Sequence, residues 1–228
     1  MSSGLPTPAP RRPVHTRNIR FEGFLRDDGL WDIDCELSDT KADPIHMRER
    51  GVLPPGEPVH LLQVRLTVDD DFTIRAVQTA ADKVPFQECQ LPAAAPMQKL
   101  VGLTMGPGWR KAIDGAIGGV GGCTHLRELV FNAATAAFQM IPHYRAAEGG
   151  QRDDIPATGK PPFYMGQCMT WAFEGPVVQR HVGGRVLGRE GGGTEEGGRE
   201  HCRPKAHRGR NLGAGRRSGN GARDWSPP

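Results

Sequence analysis

What this chain of 228 residues lacks narrows its class before any motif is read. No apolar run approaches the ~20 residues that a membrane-spanning helix needs. The proline- and serine-rich start has no apolar stretch of the kind a secretory signal carries. Without an export signal, the five cysteines (Cys35, Cys89, Cys123, Cys168 and Cys202) read as reduced thiols of a cytoplasmic protein. No two of them form a Cys-x-x-Cys pair, the strongest sequence mark of a preformed metal site. A basic face is missing too. The net charge of +3 is concentrated beyond residue 182, where nine Arg and one Lys outnumber four Glu and one Asp. The first 182 residues are therefore near −2, which argues against nucleic acid or a membrane surface as the partner of this part of the chain.

What is present divides the chain into three parts. Residues 1–14 hold four prolines and read as a flexible leader. Residues 15–182 read as a single domain of comfortable core size. From residue 183 onward there are thirteen glycines and a single aromatic residue, Trp225. Such a composition cannot bury enough apolar surface to offset its chain entropy, so a disordered tail is expected. A frameshift in GC-rich DNA produces this kind of Gly/Arg-rich sequence. His201, Cys202 and His207 are metal ligands by type, but their context supplies no preorganised geometry.

Within the domain, hydrophobic spacing predicts an α+β fold: an antiparallel sheet of two hairpins from residues 17 to 80, backed by three helices from 96 to 141. The first hairpin turns at Asp27-Asp28-Gly29, after which Trp31, Ile33, Cys35 and Leu37 alternate with polar residues. Cys35 falls in the apolar register and reads as core. Residues 39–58, rich in Pro and Gly, read as a long connection, a length that usually covers something functional. In the second hairpin His60, Leu62, Val64, Leu66 and Val68 share one face, opposite Gln63, Arg65, Thr67 and Asp69. The triplet Asp69-Asp70-Asp71 makes its turn, and Phe72, Ile74 and Ala76 return on the apolar side. The period then becomes helical over residues 96–103 and 109–117. The third helix carries a stripe of Leu126, Leu129, Val130, Ala133, Ala137, Phe138 and Ile141, with Pro142 as its stop. Residues 168–173 and 176–181 suggest a last hairpin.

The chemistry concentrates at Gly118-Gly119-Val120-Gly121-Gly122-Cys123-Thr124-His125, a glycine-rich entry into the third helix. A thiol there meets unsatisfied N–H groups and the positive end of the helix dipole, both of which favour thiolate. The glycines lack the Lys-Ser/Thr of a phosphate-binding loop, and close packing of a turn accounts for them better. Glu57, His60, Cys89, Cys123 and His125 form the candidate metal set, with Cys168 as an outlier; thiolate and imidazole suit zinc or an iron–sulfur centre. Cys123 and His125 converge only if the cysteine stands at the helix cap or before it, because residues two apart do not face each other inside a helix.

Several blocks spaced along residues 15–181 carry a family resemblance. They are His15-Thr16-Arg17, Arg26-Asp27-Asp28-Gly29-Leu30-Trp31-Asp32-Ile33, Asp39-Thr40-Lys41, Gly56-Glu57-Pro58-Val59-His60, Gly106-Pro107-Gly108-Trp109-Arg110 and Gly122-Cys123-Thr124-His125-Leu126. In them the chain closely resembles the bacterial domain-of-unknown-function family 2889, which brings no activity with it. Members of that family continue past the position of Val177-Val178-Gln179-Arg180-His181 into an aromatic and basic ending, from which Val182-Gly183-Gly184 departs. A second resemblance is one of order: two strands, a loop cysteine, helices, then a Gly-Cys opening a further helix. It is similar to the scaffold proteins of iron–sulfur cluster assembly and their zinc-binding relatives. There Gly56-Glu57, Cys89 and Cys123 match the Gly-Asp and the two later cysteines, while Pro55 stands in place of the first cysteine.

Three function classes follow from these residues. The first is a zinc- or iron–sulfur-binding, scaffold-like protein using Cys89 and Cys123, its shell completed from Glu57, His60 and His125. The second is a thiol enzyme with Cys123 as nucleophile and His125 or His60 as base. The third is a non-catalytic interaction module whose connection over residues 39–58 contacts a protein partner.

Overall fold

The alternation that opens at Trp31 runs for five inward positions: Trp31, Ile33, Cys35, Leu37 and Asp39 are all buried, each separated by a half-buried polar residue. This strand is the spine of the molecule. The computed structural model describes residues 4–150, 161–162 and 164–182, all within one unit of the chain, residues 1–188. Strands β1 (His15–Leu25), β2 (Trp31–Lys41), β5 (Pro58–Val68) and β6 (Ile74–Lys83) form an antiparallel sheet in the order β1-β2-β5-β6. The predicted pair of hairpins is this sheet, and the fold is α+β.

The stretch 39–58 is not a bare connection. Strand β2 continues through Lys41, and β3 (Ile45–Met47) and β4 (Gly51–Leu53) then pair as a small separate hairpin. Its turn is fastened to the start of β5, where Arg50 donates to the carbonyls of Pro58 and Val59 at 2.9 and 3.3 Å. In β5, Val64 and Leu66 face the core and Arg65 faces solvent, as alternation requires. Thr67 belongs to the outer face but is covered, its hydroxyl donating to Asp32 at 2.7 Å. The register shifts between Thr67 and Val68, so Val77 rather than Ala76 is the next buried residue of β6 after Ile74. A bulge of this kind reverses the alternation on one strand and is not visible in hydrophobic spacing alone.

Two 3-10 segments (Gln87–Ala93 and Ala95–Leu100) occupy the place of the first predicted helix. Helix α1 (Trp109–Ile117) follows, and then α2 (Thr124–Glu148), which lies on the inner face of the sheet. At 25 residues α2 is roughly 37 Å long, matching an 11-residue strand. It buries Leu126, Leu129, Val130, Ala133, Ala134, Ala137 and Ile141 in one core with the sheet residues. Gly23 on β1 contributes by having no side chain, since a Cβ there would occupy the space of the Met140 thioether.

Pro142 does not end α2, contrary to the sequence expectation. The helix continues for six residues past it because Ile141 before and Ala146 after are both buried, and packing outweighs the lost backbone hydrogen bond. The expected last hairpin is also replaced. Residues 164–175 form turns, and Pro176–His181 is a short helix, α3, with proline at its first position. The expected tail, with His201, Cys202 and His207, lies outside the described residues. No helix among the described residues is long and apolar enough to cross a membrane.

Candidate functional site at the polar end of the sheet

The buried stripe of β2 ends on a carboxylate. Asp39 occupies the next inward position after Leu37, and its side chain is 3% exposed. Register places Arg17 of β1 and His60 of β5 directly opposite it on either side, and a register shift follows at Asp39/Thr40. All three therefore point to the inner face, where α2 begins. A buried carboxylate must be paired or neutralised, and this one is paired on every side. Its Oδ1 accepts from Arg17 Nε at 2.7 Å and lies 3.2 Å from His15 Nε2. Its Oδ2 accepts from Arg17 Nη2 at 2.7 Å and from His60 Nδ1 at 3.0 Å.

These contacts set the protonation states. Burial pushes the Asp39 carboxyl up, but the bidentate Arg17 guanidinium and the His60 and His15 rings outweigh it and hold the group below its ordinary value. His60 goes the other way for a histidine beside a carboxylate. Its burial dominates over the attraction of Asp39, and Arg17 and Arg50 add to it, so the ring stays neutral to lower pH than usual. A neutral His60 that donates through Nδ1 presents its Nε2 lone pair elsewhere, the state required of a metal ligand or a base.

The other half of the site comes from the glycine-rich entry to α2. A Cβ on Gly118 would collide with the Asp114 carbonyl, and one on Gly122 with the Ile117 carbonyl. Those two glycines thus allow the chain to fold back tightly between α1 and α2, the packing role expected of them. Cys123 emerges as the N-cap of α2 in extended conformation, the position that lets it meet His125. Its Sγ lies 3.8 Å from His125 Nδ1. Burial raises this half-buried thiol, but the hydrogen bond to His125 and the backbone N–H groups of Leu126 and His125 leave it below its ordinary value. The His125 ring in turn lies against that of His60, with centroids 4.3 Å apart and planes tilted by 38°.

Asp39, His60 and His125 each present a ligand atom within 4.8 Å of the others, a group able to hold a metal ion. Of the residues expected from sequence, His60, Cys123 and His125 are brought together here. Glu57 is engaged by Arg50 and Lys83 at 3.4 and 3.2 Å, and Cys89 sits half-buried in the first 3-10 segment against the core; neither belongs to the group. Cys168 is exposed in the turns that precede α3. Cys35 is buried as its register implies, and burial and the nearby Asp34 push its thiol up to about 12. The four cysteines among the described residues are all free.

Sequence reasoning missed Asp39, Arg17 and His15. The signal for Asp39 was its place: one step beyond Leu37 in a period-two stripe, a position where a carboxylate must find partners. All three residues also sit in the spaced blocks that carry the family resemblance.

Comparison with curated proteins and with solved structures returned no match, so the likeness to iron–sulfur scaffold proteins gains no support from them. The model of the family described as protein of unknown function (DUF2889) matches residues 15–139, a span that contains His15, Arg17, Asp39, His60, Cys123 and His125. The chain belongs to this family.

Proposed function

We propose that the protein binds a transition-metal ion, zinc foremost, through Asp39, His60 and His125. One observation carries this reading: three ligand atoms of the right chemistry converge at the end of a rigid sheet. Ligands ~2.1 Å from a tetrahedral ion lie ~3.4 Å from each other, and the ligand atoms of Asp39, His60 and His125 lie within 4.8 Å of one another, close enough for small side-chain rotations to bring them to that spacing. Arg17 and His15 hold the Asp39 carboxylate from behind, fixing its orientation toward the ion. Cys123, whose Sγ lies 3.8 Å from His125 Nδ1, is the candidate thiolate donor for a fourth position.

Elemental analysis of protein purified without a histidine tag tests this. The expected result is close to one equivalent of metal, lost in His60→Ala and His125→Ala. Cobalt substitution then reads the ligands: a thiolate charge-transfer band that disappears in Cys123→Ser assigns the fourth donor. Metal content well below one equivalent, even after incubation with zinc, rejects the reading.

A second reading rests on a different observation, the 3.8 Å approach of Cys123 to a histidine at a helix N-terminus. A thiolate so placed attacks a carbonyl carbon, the C=O π pair moving onto oxygen as the C–S bond forms, with His125 receiving the thiol proton. Iodoacetamide should then modify Cys123 faster than Cys89 or Cys168 in metal-free protein. Uniform labelling of the exposed and half-buried thiols counts against it.

A further inference from the structure

A large cleft lies away from Asp39. It measures about 1200 Å³ and runs between the start of α1, the middle of α2 and the turns before α3. None of its lining residues belongs to the group of Asp39, His60 and His125. In a chain that is only 6% aromatic, Trp109, Phe131, Phe138, Tyr164 and Trp171 all line it. Two of the chain's four tryptophans are thus committed to one concavity.

The polar groups on its wall have one dominant sign. Arg110 and Lys111 stand in the first turn of α1, whose N-cap is a glycine in left-handed conformation, with no side chain capping the helix. The positive end of the helix and two cations therefore meet at the rim. Arg110 lies over the Phe131 ring at 3.8 Å and is 3.5 Å from Glu128. Lys111 is exposed and forms no ion pair among the described residues. The single carboxylate of the lining, Asp114, is engaged by Arg127 at 3.1 Å. A further donor is buried: Trp109 is 5% exposed, and its indole N–H has no acceptor among the described residues. Its ring forms part of the wall, so a molecule bound there changes the surroundings of that N–H.

We infer that this cleft is a binding site for a small planar aromatic molecule carrying one acidic group. The ring system stacks among Phe131, Phe138 and Trp171, and the acid faces Lys111 and Arg110. The volume suits a ligand of drug-like size with room for water, and the combination of apolar wall with few directed polar groups is typical of small-molecule sites. The site is independent of the proposed metal group, and its success or failure leaves that reading untouched.

The probe is 8-anilinonaphthalene-1-sulfonate, a planar aromatic monoanion, titrated into the full-length protein under native conditions. The expected result is saturable one-site binding with enhanced, blue-shifted fluorescence. Lys111→Glu alters an exposed side chain without a partner, so it folds, and it should weaken binding at least about tenfold, the factor that 1.4 kcal/mol represents. The uncharged analogue N-phenyl-1-naphthylamine should bind about tenfold more weakly than the sulfonate. In protein labelled with 15N at tryptophan, the Trp109 indole signal, assigned with Trp109→Phe, should shift on binding while that of Trp31 stays in place. Absence of saturable binding overturns the inference. So does binding that is indifferent both to Lys111→Glu and to the sulfonate, or that leaves the Trp109 signal unmoved.

Discussion

The two ends of α2 carry the same pair of residue types and put them to different use. At the N-terminal end Asp39 is gripped by Arg17, with His60, His125 and Cys123 gathered around. At the C-terminal end Asp70 accepts from Trp31 Nε1 at 2.8 Å and Arg145 Nε at 2.9 Å, while Arg145 also reaches the Gly29 carbonyl. Trp31 is flanked there by the edge of Tyr144, at 5.4 Å, and by the Arg145 guanidinium. The carboxylate of Asp39 is 3% exposed and that of Asp70 is 56% exposed. Burial separates a clasp from the candidate site. Asp70 ties a hairpin turn to a helix in water, where an ion pair contributes little. Asp39 sits where an unbalanced charge is costly, so its surroundings must be polar and ordered.

The sharpest way to break the comparison is to delete each carboxylate. Asp39→Ala leaves Arg17, His15 and His60 facing a cavity and should lower stability by about 2–4 kcal/mol in metal-free protein. Asp70→Ala should cost about 1 kcal/mol, most of it from the indole N–H of Trp31 left without its acceptor. Urea unfolding of the two variants measures both. Equal losses would mean that burial is not what distinguishes the two ends.

Acid unfolding gives a second, smaller separation. Both carboxyls are held below their ordinary value: at Asp70 the bonds from Trp31 and Arg145 overcome burial, and at Asp39 the Arg17 pair does. A carboxyl lowered in the folded state adds stability above its unfolded pKa of ~3.9 and loses it as pH falls through the folded value. His60, also lowered, acts in the same direction at higher pH, losing its contribution as pH falls below ~6.5. The acid limb of metal-free protein should therefore begin near pH 6 and steepen below 4. Asp39→Asn and Asp70→Asn should each flatten the part below pH 4, while loss of the Asp39 charge, which raises His60, should leave the part near pH 6 at least as steep, as followed by circular dichroism against pH.

The smallest effect belongs to the clasp itself. Arg145→Ala removes bonds to Asp70, Glu148 and Gly29 from a partly exposed side chain and should lower the melting temperature least of these variants. It should leave metal content unchanged, whereas Arg17→Ala should reduce it by freeing the Asp39 carboxylate to turn.

Much of the frame was legible in the sequence because it rests on regular alternation. The stripe from Trp31 to Leu37, the inward face of β5 and the buried side of α2 follow from spacing alone. What escaped was set by tertiary contacts or irregularity. The bulge that exchanges Ala76 for Val77 depends on register with a neighbouring strand. The passage of α2 through Pro142 depends on the core beneath it, and the β3–β4 hairpin on the grip of Arg50. At the site, His60, Cys123 and His125 were recognisable by type and position. Asp39 was hidden because the strand was expected to end where its polar residues began, although the inward register continued to Lys41.

Cys35 lies two steps before Leu37 on the same buried stripe, its thiol shielded from solvent and pushed up by burial in the folded chain. It becomes alkylatable only when the sheet opens. The chain thus carries its own clock: in one labelling time course Cys123 should follow the surroundings of the α2 N-terminus, while Cys35 should follow the rate at which the sheet opens. A substitution that slows Cys123 and leaves Cys35 unchanged has altered the chemistry; one that accelerates Cys35 has damaged the scaffold that holds it.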